Sequence, residues 1–241
     1  MSGLSKPKGT GGDEGRKGNE TWVGVSGGVF TLPAEKGAPG AVQVMKGKNH
    51  DEPATDKDGN HKYRTEHENL EGRITSFSER KAQLYDGEET VFLSVHLTAA
   101  DGTKYRVDLP EFKRHWENFL MRSPGIDFTK DVKLSPYSFE ATNKETGKTS
   151  LKQGIAIYQD DEKVMAGNID GLPEATQAKN PKTGKMEWTF LERNEFLRDV
   201  VLAQAKERLI AAGGTAPVTA EVAEGVRNVP GSGIGEEDEA F

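Results

Sequence analysis

Ten aromatic and basic side chains fall where a period-two alternation turns them away from a core: Arg73, Phe77, Phe92, Lys104, Arg106, Lys133, Tyr137, Phe139, Lys152 and Tyr158. Rings and cations interleaved on one wet sheet face have a definite chemistry. Unpaired bases stack on aromatic rings at about 1–3 kcal/mol each, while lysine and arginine follow the phosphates. A face of this kind would hold a single polynucleotide strand without reading its sequence. Taken one at a time, each ring is better accounted for by packing, beneath the Trp22–Met45 segment, the 111–122 helix or the C-terminal helix. The set as a whole is what points to a strand-binding face.

The elements that must position these residues lie between about Leu70 and Asn168. Val91, Leu93, Val95 and Leu97 alternate with Phe92, Ser94, His96 and Thr98, the pattern of a half-buried strand. Arg73–Ser78 alternates in the same way. Asp101-Gly102 marks a hairpin turn, and the strand that follows sets Tyr105, Val107 and Leu109 against Lys104, Arg106 and Asp108 until Pro110 ends it. Phe112, Trp116, Phe119 and Leu120 have helical spacing within 111–122, with Trp116 assigned to the core. Two further strands, 132–140 and 150–158, and a hairpin at 159–162 complete the block. Three strands, a helix and two strands is the order of an oligonucleotide-binding (OB) barrel. The fold class expected is therefore mainly β: an OB-like five-stranded barrel with an N-terminal β extension and a C-terminal helix.

Outside this block the chain is more polar. Residues 1–20, rich in Gly and Lys, read as a disordered arm, and Trp22–Met45 as two short strands docking on the main domain. The stretch 46–69 reads as a polar surface excursion. A hairpin is expected near Asn180–Lys185, then a helix capped by Asn194 and stopped by Gly213-Gly214. The domain spans 21–212, its core 70–168, and residues 213–241 read as a disordered linker and tail.

Other chemistries find little support. Gly147-Lys148-Thr149 has Thr142 where a phosphate-binding loop needs glycine, and it joins two strands instead of opening a helix. His50, His61, His67, His96 and His115 have no zinc spacing, and no Ser/His/acid set stands out, so neither catalysis nor a metal or other cofactor is expected. The Asn19-Glu20-Thr21 sequon is not expected to carry a glycan, since Met1–Lys6 lacks the apolar segment of a secretory signal. With no cysteine and no apolar run long enough to cross a membrane, a soluble, cytoplasmic protein is expected.

The net charge of −7 is unevenly distributed. Four acids stand in the last six residues, Glu236, Glu237, Asp238 and Glu239 before Ala240 and Phe241, and without them 35 acids face 32 bases. A near-neutral body argues against tight duplex binding, which needs many phosphate contacts. The acids keep the tip in water and steer it to basic partners, while Phe241 and its carboxylate can enter a small apolar, basic pocket.

Gly235–Phe241 resembles the tail of bacterial and bacteriophage single-stranded DNA-binding proteins, which place an OB-fold before a disordered linker and an acidic end closing on phenylalanine. Ala240 stands where the bacterial form has proline, which is closer to the phage replication type. The resemblance implies sequence-nonspecific coating of single-stranded DNA in replication, recombination and repair inside a bacterial host cell. It further implies recruitment of a polymerase, helicase or primase by the tail, and it allows homo-oligomers. Two rivals remain open: a β-rich phage protein-interaction or virion-associated module with no nucleic-acid role, and a nuclease whose carboxylate cluster is not evident.

Overall fold

The computed structural model describes residues 20–46, 52–56, 58–83, 89–144, 147–179 and 184–215. Residues 1–19 of the expected arm, the turn at Asp86-Gly87, residues 180–183 of the expected hairpin, and 216–241 of the linker and tail, with Glu236, Glu237, Asp238, Glu239 and Phe241, lie outside these residues. The described strands are β1 (Glu20–Ser26), β2 (Val29–Ala34), β3 (Val42–Gln43), β4 (Met45–Lys46), β5 (Glu52–Pro53), β6 (Tyr63–His67), β7 (Leu70–Gln83), β8 (Glu89–Thr98), β9 (Lys104–Pro110), β10 (Val132–Thr142), β11 (Thr149–Gln159), β12 (Glu162–Lys163), β13 (Thr176–Lys179) and β14 (Met186–Thr189). The helices are α1 (Arg114–Arg122), a 3₁₀ turn (Ser123–Gly125), α2 (Leu191–Phe196), a π turn (Leu197–Val201) and α3 (Leu202–Ala211).

The fold is mainly β. Ten strands form one mixed sheet in the order β12-β11-β10-β7-β8-β9-β1-β2-β6-β3, with β13–β14 and β4–β5 as separate hairpins. β7, β8 and β9 form a meander, α1 follows, and β10 returns antiparallel to β7. The five-strand order is as the alternation predicts, but the closed five-stranded barrel is not what forms. β1 takes the free edge of β9 in a parallel ladder, Glu20 opposite Lys104 and Val23 opposite Val107, and the sheet runs on through β2 and β6. Among the described residues no ladder joins its two ends. The sheet instead bends until distant strands touch: α1 packs on both β9 and β11, and β2 meets β10. Gly28, with φ +82°, sits at that crossing, where a Cβ would lie 2.7 Å from the Ser138 backbone nitrogen.

One irregularity decides which side chains enter the core. The β7–β8 register shifts between Ile74 and Ser76, so β7 carries one extra residue at Thr75. Such a bulge exchanges the two faces of a strand. Leu70, Ile74 and Phe77 are all buried, although strict alternation puts Phe77 with Arg73. The Phe77 ring stands edge-on to Phe119 of α1 and to Phe128, each centroid 6.0 Å away. Trp116, Phe119 and Leu120 join Leu197, Val201, Leu202, Ala205 and Leu209 of the C-terminal helical rod in the same core. Arg208 fastens that rod by donating to the carbonyls of Ser123, Pro124 and Ile126.

Three local expectations shift. Tyr63–His67, within the expected excursion, is a strand on β2; near a sheet edge the backbone ladder suffices without an apolar face. Phe112 lies outside α1 at φ 64°, its exposed ring edge-on to Trp116, because the chain turns sharply after Pro110 before the helix begins. The last helix starts at Leu191 instead of being capped by Asn194, with Thr189 Oγ1 accepting the Leu191 N–H. Its end is as predicted: Gly213 has φ +85°, and the Gly214 N–H donates to the Leu209 carbonyl.

His115 gives this fold a pH dependence. Among the described residues its Nε2 is buried without a hydrogen-bond partner, and burial pushes the imidazole down to about 4. The unfolded chain titrates near ~6.5. Between these values the unfolded state holds a proton that the folded state refuses, so stability is lost as pH falls from about 6.5 to about 4. The loss is roughly 3 kcal/mol at most. His115→Gln is expected to flatten that limb in urea melts recorded across the window; an unchanged difference between wild type and variant at pH 4 and pH 7 would contradict it.

Candidate nucleic-acid interface

The ladder registers settle which of the expected residues share a face, because cross-strand partners project to the same side of a sheet. In the β10–β11 hairpin Lys133 is opposite Tyr158, Tyr137 opposite Gly154 and Phe139 opposite Lys152. Lys133, Tyr137, Phe139, Lys152 and Tyr158 therefore form one side of one hairpin. The Tyr137 and Phe139 rings are 5.8 Å apart and tilted by 35°, and the Lys133 ammonium lies 5.7 Å from the Tyr158 centroid. Tyr137 is held: it lies across Gly154, where any Cβ would strike its hydroxyl, and that hydroxyl accepts a bond of 3.2 Å from Asn118 Nδ2 of α1. Phe139, 54% exposed, extends this fixed ring outward, with Lys152 exposed beside it.

The two ends of this face differ. Lys133 and Tyr158 line a shallow cleft of about 180 Å³ with Glu71, Asp131, Asp160 and Asp161. Carboxylates there repel a polyanion. The Phe139–Lys152 end is the one suited to a phosphate chain.

Arg73, Phe92, Lys104 and Arg106 share the outer face of the β7–β8–β9 meander, since Thr98 pairs with both Arg73 and Lys104, and His96 with Arg106. They are not equally available. Arg73 donates to the Ala212 carbonyl at 2.9 Å, and Lys104 is exposed. Phe92 points outward as expected but is only 3% exposed, with the Arg80 guanidinium 4.7 Å from its ring centre. Phe77 is in the core on the opposite face, by the bulge. Neither ring can stack a base in this conformation, so both leave the set of expected stacking residues.

Beside them lies a polar network that spacing alone does not reveal. The buried Asp108 carboxylate accepts bonds from Trp22 Nε1 (2.8 Å), Arg80 Nη2 (2.8 Å) and Ser94 Oγ (2.6 Å). Arg106 Nε is 3.2 Å from Asp108 Oδ1, an ion pair misdirected for a hydrogen bond, and among the described residues it is buried without a hydrogen-bond acceptor. One row away, His96 Nδ1 lies 2.6 Å from Glu20 Oε1 and His96 Nε2 lies 2.7 Å from Ser78 Oγ. His96 and Ser94 alternate onto the wet face in the sequence, but Glu20 reaches His96 only through the parallel β1–β9 ladder, which leaves no local signature. Among the described residues no group of three His, Asp or Glu is placed to hold a metal ion, and no helix is long and apolar enough to cross a membrane. Comparison with protein-family models, curated proteins and solved structures finds no match.

Proposed function

We propose that this chain binds single-stranded DNA without sequence preference, in replication, recombination or repair, and that its acidic end recruits partner proteins such as a polymerase, helicase or primase. The observation that carries the reading is the hairpin face on which the fixed Tyr137 ring backs the exposed Phe139 beside Lys152. Bases stack on the ring pair and phosphates follow Lys152, with Lys104 and Arg73 extending the charge along the meander. The order β7-β8-β9, helix, β10-β11, with β10 returned to β7, supports an OB-type module whose barrel is left open. Recruitment rests on the tail sequence alone.

Anisotropy of labelled oligo-dT at two salt concentrations tests this directly, with duplex and RNA of equal length alongside. Phe139→Ala is expected to cost about 1–3 kcal/mol of affinity, roughly 5- to 150-fold. Lys152→Ala should weaken binding less and reduce its salt dependence. Removal of 236–241 should leave or raise DNA affinity. No binding of any single strand at low salt overturns the proposal. A second reading, a protein-docking hairpin, is favoured by Leu151, 55% exposed on the hairpin's other side; Leu151→Ser leaving DNA affinity unchanged while abolishing partner capture would support it.

A further inference from the structure

The geometry points to a second, independent site: Ser78, His96 and Glu20 form a nucleophile–base–acid triad on the outer face of the sheet, suited to hydrolysing unhindered carboxylic esters. The three residues come from β7, β8 and β1, and only the folded sheet brings them together. A carboxylate accepts, so in the 2.6 Å contact His96 Nδ1–H donates to Glu20 Oε1. That tautomer leaves the Nε2 lone pair facing Ser78 Oγ, 2.7 Å away, as the acceptor of its hydroxyl proton. A base hydrogen-bonded to a hydroxyl, and oriented through its other nitrogen by a carboxylate, is the arrangement that activates a serine.

Two further observations favour chemistry over simple cross-linking. The His96 and Glu20 side chains are 18% and 29% exposed and Ser78 is half-buried, so solvent and substrate reach the group. The neighbouring Ser94, in contrast, is 1% exposed and committed to Asp108. Opposite His96 in the ladder stands Arg106, whose side chain is 28% exposed and, although ion-paired with Asp108, places positive charge on the face where an oxyanion would form. Among the described residues the group lies at the sheet surface, so the acyl group it accepts is small or presented on an extended ligand.

The step balances without a co-reactant beyond water. Ser78 Oγ bonds to the ester carbonyl carbon as its proton passes to His96 Nε2. The carbon–oxygen bond to the alcohol breaks, and that proton leaves with the alkoxide. Water, deprotonated by the same nitrogen, then releases the acid and restores Ser78. Glu20 is a positioning residue that also stabilises the imidazolium formed in passing.

The test uses the full-length chain and an alkyl fluorophosphonate, from which Ser78 Oγ displaces fluoride to form a phosphorus–oxygen bond. Peptide mass mapping is expected to find one adduct, at Ser78, absent from the heat-unfolded chain and from Ser78→Ala. The labelling rate should rise with pH through a single deprotonation. The charged groups that face His96 are Glu20 on β1, in hydrogen-bond contact, and Arg106 on β9, opposite it in the ladder, so the profile reports the imidazole between those two charges. His96→Asn should slow labelling at least tenfold. Glu20→Gln should slow it and move the midpoint to lower pH, an effect that loss of a merely structural bond would not produce. p-Nitrophenyl acetate should give a burst with one acetyl group on Ser78. No adduct at Ser78 on the folded wild-type chain, or labelling there that is indifferent to His96→Asn, overturns the assignment.

Discussion

Asp108→Ala is expected to remove about 3 kcal/mol of folding stability, read as a lowered urea midpoint with an unchanged slope. The carboxylate side chain is 2% exposed and collects donors from three other strands: Trp22 on β1, Arg80 on β7 and Ser94 on β8. Removing one partner of a buried charge pair typically costs about 3–5 kcal/mol, because the groups left behind stay desolvated without compensation. Here the Arg80 and Arg106 side chains are 25% and 28% exposed, so water recovers part of that loss and the lower end applies. The deletion also acts at a distance. Trp22 Nε1 loses its acceptor, and with it β1 loses a side-chain anchor to β9, so amide exchange should quicken in the β1–β9 ladder before it does in β7–β8. Asp108→Asn should cost less, since an amide oxygen at the Oδ2 position still accepts from Trp22 and Arg80 while the NH₂ at the Oδ1 position donates to Ser94 Oγ. A loss below about 1 kcal/mol for the alanine variant, or uniform exchange across the sheet, would show that the carboxylate is not the hub its contacts describe.

What could be read from the sequence follows how locally each feature is determined. The β8 alternation, the Asp101-Gly102 turn and the helix through Trp116 depend on neighbours within a few residues; the first two stand where the pattern puts them, and the helix does so from Arg114 onward. The hairpin face of Lys133, Tyr137, Phe139, Lys152 and Tyr158 was legible for the same reason, since alternation within two adjacent strands fixes the side each residue takes. Three other features depend on partners remote in the chain. The parallel docking of β1 on β9 requires a crossover that no periodicity announces, and it is what turns an expected small barrel into a ten-strand sheet. The burial of Phe92 depends on the guanidinium of Arg80 lying over it, a lateral covering that alternation cannot register. The bulge at Thr75 is a third case: one added residue leaves composition untouched and exchanges the faces of everything after it.

That bulge makes Phe77→Ala the sharpest discriminator between the two assignments of this ring. If Phe77 shared the wet face with Arg73, its truncation would weaken oligo-dT binding and spare stability. Its position predicts the reverse. The ring is 1% exposed and packs edge-on against Phe119 and Phe128, so alanine opens a cavity between the sheet and α1. Phe-to-Ala changes in well-packed cores cost about 3–5 kcal/mol, comprising lost transfer energy and the void that remains. The upper part of that range is expected, because α1 is pinned on its far side by the Glu117–Arg193 pair and by the Trp116 contacts and cannot collapse freely into the space. Phe77→Leu, which keeps most of the volume, should cost about 1–1.5 kcal/mol. Urea melts measure both variants. Anisotropy titrations at a temperature where each remains folded should then return wild-type DNA affinity for both, while Phe139→Ala loses affinity and keeps its melt. Loss of binding in folded Phe77→Leu would place the ring back on the interface and the bulge in error.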